Sequence, residues 1–302
     1  MKKSAQLYMV YFCIAALMGA GLYRLSTGKR LIPRIRLTSY TAHYMTDHTN
    51  VIFDLNDTLF TINKRKALSL LGFGDVLGYF LSGNRTEDLE HTLFQVLDSI
   101  APGDTHIKTG LIPMHNGKQL PILMQAWMLG SISSQDLIDM VIPHINKLAD
   151  EGFFESKREE RIMTKAIMMF FDPQTRCDLY RPIKQAIKLL HRCKNQGYKV
   201  YLLSNMDTEL INLLSEKYPD IFALFDGVII SGDVRCIKPH KDIYEYMLAT
   251  YHLDPERSYF IDDQHENLAG AQELGITGIH CNPKQYKTVS RQLRTLGLLQ
   301  QA

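Results

Sequence analysis

The chain has 302 residues, 45% hydrophobic and 22% charged, enough apolar material for a packed core, and this excludes a wholly disordered, collagenous or polytopic membrane chain. Five cysteines, at 13, 177, 193, 236 and 281, form no CxxC pair, so they mark neither a disulfide framework nor a zinc site and lean toward a reducing compartment. The net charge of +2 is uneven: residues 1–46 hold seven Lys/Arg and no acid, leaving 27 basic against 32 acidic residues beyond them, a net of −5, and a body this acidic argues against nucleic acid as a partner.

Lys2 and Lys3 precede an uncharged run of twenty residues, Ser4–Tyr23, with an apolar heart at Leu7–Leu22. Twenty helical residues at about 1.5 Å each just span a hydrocarbon core. The run therefore reads as a membrane anchor or a secretory signal rather than a buried helix. Arg24, Lys29, Arg30, Arg34 and Arg36 follow it, and such a basic flank tends to stay cytoplasmic. The expectation is an uncleaved anchor with the body in the cytosol; the alternative is export after signal cleavage. Residues 26–48 read as a linker, which Pro33 keeps from continuing as helix.

Beyond the linker, short apolar runs alternate with helical patterns, the signature of an α/β parallel sheet. The expected strands are Val51–Phe53, Lys199–Leu203, Gly227–Ile230, Tyr259–Ile261 and Thr277–Ile279. One helix is expected with Pro182 in its first turn, with Ile183, Ala186, Ile187, Leu190 and Cys193 on one face, and with Gly197 as its stop. Another is expected from about Glu266 to Leu274, before Gly275. More than a hundred residues part the first strand from the second. They lack strand alternation, are rich in Leu, Met and Phe, and carry a helix-start signal at Ser133 with Asp136 three residues on. The expected plan is a doubly wound core, residues 46–62 plus 182–302, interrupted by a helical cap at 63–181 and preceded by an N-terminal segment, 1–45.

Four candidate sites sit at the carboxyl ends of these strands, where open α/β sheets place their ligands. In VIFDLNDTLF, Asp54 ends a buried strand and is followed by a tight loop and Thr58; a carboxylate there can be a nucleophile or a metal ligand. In KVYLLSN, Ser204 follows its strand and can hold a phosphoryl oxygen, or simply cap a helix. In CIKPHKDIYEYML, Lys238 precedes Pro239 and a helix and could neutralise a carboxylate and a phosphate together. In SYFIDDQHEN, the adjacent acids Asp262 and Asp263 end a strand. Like charges so paired are costly without a cation, and Mg²⁺ is the natural compensation.

The ordered set Asp, Ser, Lys, Asp-Asp, each after its own strand, resembles the haloacid dehalogenase-like hydrolase superfamily from about Asn50 to the C-terminus. LLSN, IKPxxxIY and IDDxxxN…A…LGI…GIH look like the subgroup of small-molecule phosphatases and dehalogenases with a helical cap after the first strand. The resemblance implies that Asp54 attacks phosphorus to form an aspartyl-phosphate, that Ser204 and Lys238 hold the phosphoryl group, and that Asn205 orients the pocket. It places Thr58 with the substrate-binding residues. It implies Mg²⁺ on Asp54, the backbone carbonyl of Asn56 and Asp263, with Asp262 in support. The implied partner is a small phosphorylated substrate.

One position departs from that pattern. The phosphatases of the superfamily carry an acid/base Asp two residues after the nucleophile; here it is Asn56, followed by Asp57 where Gly is usual. An amide cannot move a proton near neutral pH, and losing such a group costs ~10²–10⁴ in rate. Three readings follow. The first is a phosphatase or phosphotransferase that is slow, relies on its substrate's leaving group or recruits Asp57. The second is a dehalogenase-type hydrolase, against which the Asp262–Asp263 pair counts. The third is a non-catalytic binding or regulatory module. In the cap, the NKRK run at 63–66 reads as a solvated helix start or a grip on an anionic substrate, and Trp127 reads as cap core.

Overall fold

Val51, Ile52 and Phe53 carry no charge, and all three side chains are fully buried. Such a run fits the middle of a parallel sheet covered on both faces. The computed structural model describes residues 48–100, 120–282 and 285–299. Its strands are β1 (Asn50–Phe53), β2 (Phe60–Ile62), β3 (Tyr180–Pro182), β4 (Lys199–Ser204), β5 (Gly227–Ile230), β6 (Ser258–Asp262) and β7 (Thr277–His280). Five of them form one parallel sheet in the order β5-β4-β1-β6-β7, with β1 at its centre. The α/β class and the parallel sheet agree with the sequence.

Alternation along the strands builds a core on each side of the sheet. Val51, Phe53, Val200, Leu202 and Ile261 pack with Ala186, Leu189, Leu190, Val289 and Leu293 of the helices Lys184–Asn195 and Tyr286–Thr295. Ile52, Tyr201, Leu203, Ile229 and Phe260 face the other way, onto Ile243, Tyr244, Met247, Leu268 and Ala271 of the helices Lys241–Tyr251 and His265–Gln272.

Between β2 and β3 the described residues form seven helices, among them Ile122–Met128, Ser134–Asp150, Lys157–Phe171 and Pro173–Leu179. Ser133 caps its helix by accepting from the Asp136 N–H at 3.0 Å. Trp127 is buried against Phe171, ring edge to face at 5.0 Å. Asn63 caps the helix Lys64–Leu71, and Lys66 pairs with Asp178 at 3.3 Å. β2 and β3 are antiparallel and pair Phe60 with Pro182 where the chain leaves and re-enters the core.

That ribbon corrects the reading of Pro182, which lies in β3 rather than in a helical turn. Ile183 donates its N–H to the Leu59 carbonyl at 2.8 Å, so the ribbon runs one residue on and the helix starts only at Lys184. The apolar run Leu7–Leu22 and its basic flank lie outside the described residues. Among the described residues no helix is long and apolar enough to cross a membrane.

Candidate active site

β1 ends by pairing Phe53 with Leu202 on one side and with Ile261 on the other. This register brings Asp54 to the same edge as Ser204, the last residue of β4, and Asp262, the last residue of β6. The Asp54 N–H closes the ladder on the Ile261 carbonyl at 2.9 Å. The loop then turns tightly, with the Leu59 and Phe60 N–H groups both reaching the Leu55 carbonyl at 2.8 Å.

Lys238 enters this edge from the loop before the helix Lys241–Tyr251. The residue is 2% exposed, and its ammonium donates to Asp54 Oδ1 at 2.7 Å, Asp262 Oδ2 at 2.8 Å and the Leu203 carbonyl at 3.0 Å. All three donor positions are thereby used. Burial works against the charge on Lys238, but Asp262 and Asp54 outweigh it and hold its pKa above the usual lysine value. Asn205 fastens the backbone behind this ammonium: its Nδ2 donates to the Lys238 carbonyl, and the Lys238 N–H donates to its Oδ1, each at 2.9 Å.

Asp262 is fully buried and well supplied with donors. Besides Lys238 it accepts from the Gln264 N–H at 2.7 Å and from Asn267 Nδ2, at 3.1 Å to each oxygen. Asn267 lies in the first turns of the helix His265–Gln272. Its place in IDDxxxN hints at this contact, which reading the acids alone misses. Asp54 is pushed up to about 6, by burial first and then by Asp262, with Lys238 opposing. Asp263 is held well above the usual carboxylate range by burial and by the charges of Asp262, Asp54 and Asp57.

Carboxylate oxygens of Asp54, Asp262 and Asp263 lie within 4.8 Å of one another. Lys238 donates to two of these three acids, and burial together with the like charges beside them raises the pKa of Asp54 and Asp263, so the cluster favours a bound cation or proton. Hard oxygen donors crowded in this way suit a small divalent cation such as Mg²⁺. Beside them Asn56 Oδ1 is buried without a hydrogen-bond partner, a polar atom that a bound group could satisfy. Asp57 lies near enough for its charge to act on Asp263. It has φ +51°, and its Oδ1 accepts from the Thr61 hydroxyl at 2.6 Å.

The structure thus brings Asp54, Lys238, Asp262 and Asp263 into one cluster and joins Asn205 to it through the Lys238 backbone. Ser204, 1% exposed, sits at the adjacent strand end. Thr58 is fully buried, and its carbonyl accepts from the Tyr286 hydroxyl. That contact, from a helix more than two hundred residues on in the chain, has no local sequence signal. A buried carboxylate, a fixed ammonium and a cluster suited to a cation could together serve displacement at an electrophile whose oxygens carry negative charge.

The family model for haloacid dehalogenase-like hydrolases matches residues 48–275. Sesquiterpene phosphatase astK of Aspergillus oryzae is 32% identical over 100 residues, 33% of this chain and 50% of that protein. Pyrophosphatase PpaX of Bacillus cereus is 24% identical over 137 residues, 45% of this chain and 62% of that protein. The chain therefore spans between half and 62% of the length of these two relatives. Among solved structures, a HAD family enzyme of Bacteroides thetaiotaomicron in complex with magnesium and inorganic phosphate is 18% identical. That likeness covers 77% of this chain and 93% of that one, with a TM-score of 0.47.

Proposed function

The chain belongs to the haloacid dehalogenase-like hydrolase family, and from that premise we propose that it is a Mg²⁺-dependent phosphatase or phosphotransferase acting on a small phosphorylated metabolite. It has phosphatases among its relatives. The observation that carries the reading is the bridge from Lys238 to both Asp54 and Asp262, with Asp263 in the same carboxylate cluster.

In this reading Asp54 uses its carboxylate to displace the leaving oxygen from phosphorus. The electron pair of the breaking P–O bond leaves with that oxygen, and the phosphoryl group stays on Asp54. Water then attacks phosphorus, the bond to Asp54 breaks, and phosphate departs with the oxygen and protons of the water. Ser204 holds a phosphoryl oxygen, Lys238 holds another once it gives up one of its three present acceptors, and Asn205 keeps Lys238 in place. Asp54 and Asp263 would hold Mg²⁺, with Asp262 supporting them and Asn56 alongside. The ion would supply charge neutralisation at the phosphoryl oxygens, which is most of what phosphoryl transfer requires.

Asn56 has no proton to exchange near neutral pH, and one oxygen of the Asp57 carboxylate already accepts from Thr61. Slow turnover, or a substrate whose leaving group departs unprotonated, is the consequence. The same residue favours a second reading, a phosphoester-binding regulatory module without turnover.

Steady-state hydrolysis of an aryl phosphate with Mg²⁺, in wild type, Asp54→Asn and Asn56→Asp, separates the two. Turnover in wild type that is lost in Asp54→Asn supports the enzyme. Turnover confined to Asn56→Asp supports the binding module. Equal turnover in wild type and Asp54→Asn removes Asp54 as nucleophile. We further propose that the apolar run Leu7–Leu22 anchors the protein with its body in the cytosol. Cell fractionation with sequencing of the mature N-terminus tests this, and a cleaved N-terminus would overturn it.

A further inference from the structure

Arg176, in the helix Pro173–Leu179, buries its guanidinium at the seam between the helical insertion and the core, with 7% of the residue exposed. It forms an ion pair with Asp207 through Nη1. Its Nη2 contacts Met206 Sδ at 3.0 Å. Its guanidinium carbon lies 4.6 Å from the centroid of the Trp127 ring, which belongs to the helix Ile122–Met128 of the insertion. A single planar group thus touches the insertion on one side and two consecutive core residues on the other.

Those core residues directly follow Asn205, whose side chain grips the Lys238 backbone twice. Asp207 also caps the helix Thr208–Lys217, accepting from the Leu210 N–H at 2.9 Å. The Met206 N–H donates to the Ser231 hydroxyl at 3.0 Å, and that hydroxyl donates to the Met128 carbonyl at 2.7 Å. A second link from the insertion therefore ends on the same short loop. At this seam Gly130, with φ +64°, lies so near the Gly232 carbonyl that a Cβ would overlap it.

A buried ion pair is a poor source of stability, because apolar residues of similar volume often do as well. What the guanidinium offers is direction: a rigid fork that also stacks on an aromatic face. We propose that Arg176 is a positioning residue that holds the loop after β4, and through Asn205 the ammonium of Lys238, in register with the insertion at Trp127.

Removing Arg176 alone would strand the Asp207 carboxylate in the core and could unfold the chain. The test is therefore Arg176→Met combined with Asp207→Asn, which removes both charges and keeps a capping oxygen for Leu210. Arg176→Lys serves as the companion, keeping a charge opposite Asp207 without the fork. Trp127 is the only tryptophan in the chain, so its emission reports this contact directly.

With Mg²⁺ and an aryl phosphate, the double variant is expected to lose at least about tenfold in kcat with KM within about threefold of wild type, and Arg176→Lys to fall between them. Trp127 emission should respond to Mg²⁺ plus inorganic phosphate in wild type and not in the double variant. Amide exchange should quicken at 203–210 and 236–240 in both variants while the rest of the sheet stays protected. The kinetic expectation rests on the phosphoester reading above; the exchange expectation does not. If wild type neither turns over nor binds phosphate, that reading falls, and exchange alone decides the role of Arg176. Wild-type exchange at 236–240 in both variants overturns the positioning role, as does wild-type kcat in an active protein.

Discussion

Asn205 and Lys238 are joined twice, Asn205 Nδ2 to the Lys238 carbonyl and the Lys238 N–H to Asn205 Oδ1, each at 2.9 Å. The amide thereby completes both polar groups of a backbone segment that has no strand neighbour of its own. It fixes where the Lys238 side chain starts, and so where its ammonium can reach. Asn205→Ala should cost about 1–3 kcal/mol in stability, since both partners lose a hydrogen bond. It should lower kcat about ten- to a hundredfold through misplacement of the ammonium. Urea unfolding and steady-state kinetics on one preparation check both figures. A stability loss with unchanged kcat would sever the residue from the chemistry.

The Lys238 ammonium is the cation shared by Asp54 and Asp262. Lys238→Met leaves two buried carboxylates facing each other without it. Removing one partner of a buried ionic group costs about 3–5 kcal/mol. Adding Asp54→Asn to Lys238→Met removes one of the stranded charges and should recover part of that loss. Urea midpoints in metal-free buffer would show the order wild type, double variant, single variant. A single variant as stable as wild type would mean that water, not Lys238, balances these acids.

Carboxylate crowding at Asp54, Asp262 and Asp263 makes a prediction for Mg²⁺. An ion bound only by the folded state stabilises it by about 2.7 kcal/mol at a concentration a hundred times its Kd. Melting in Mg²⁺ should therefore exceed melting in EDTA, and Asp263→Asn should abolish the difference. Asp263→Asn should itself raise the melting point in EDTA, because it relieves a carboxylate that burial and its neighbours already disfavour. An Mg²⁺ shift that persists in Asp263→Asn would move the ion elsewhere.

The sheet was legible because each of its strands carries an apolar stretch that runs into a polar residue, as at Phe53–Asp54 and Ile261–Asp262. The side chains of the candidate site share that signal, so Asp54, Ser204, Asp262 and Asp263 could be picked out from it, and Lys238 from its place before Pro239 and a helix. What escaped has no local pattern. β2 and β3 are three residues each, too short to show alternation, and they meet across the whole insertion. Pro182, which suits a first helical turn by its φ, was misread for that reason. Arg176 and Asp207 stand 31 residues apart, and only the packing of the insertion on the core brings them together. Asn267 needed the helix start at His265 before its reach to Asp262 could be seen.

Within the insertion, Asp75 accepts from Arg161 at 2.6 Å and from Lys165 at 3.2 Å, joining the helix Phe73–Leu81 to the helix Lys157–Phe171. The hydrogen bond from Arg161 leads in lowering its pKa from 3.8 to about 2, with Lys165 adding to it and burial opposing. A carboxyl whose folded pKa is depressed stabilises the fold above its unfolded pKa, and that stability is lost as pH falls through the folded value. Asp75→Asn should therefore melt lower than wild type near pH 7, and the gap should close as pH falls from about 4 toward 2. Arg161 and Lys165 are 53% and 40% exposed, so water and salt screen the pair and the gap should be small, about 2 °C. Half-molar salt should shrink it further. A gap that stays constant from pH 7 to pH 2.5 would assign the effect of Asp75→Asn to packing rather than charge.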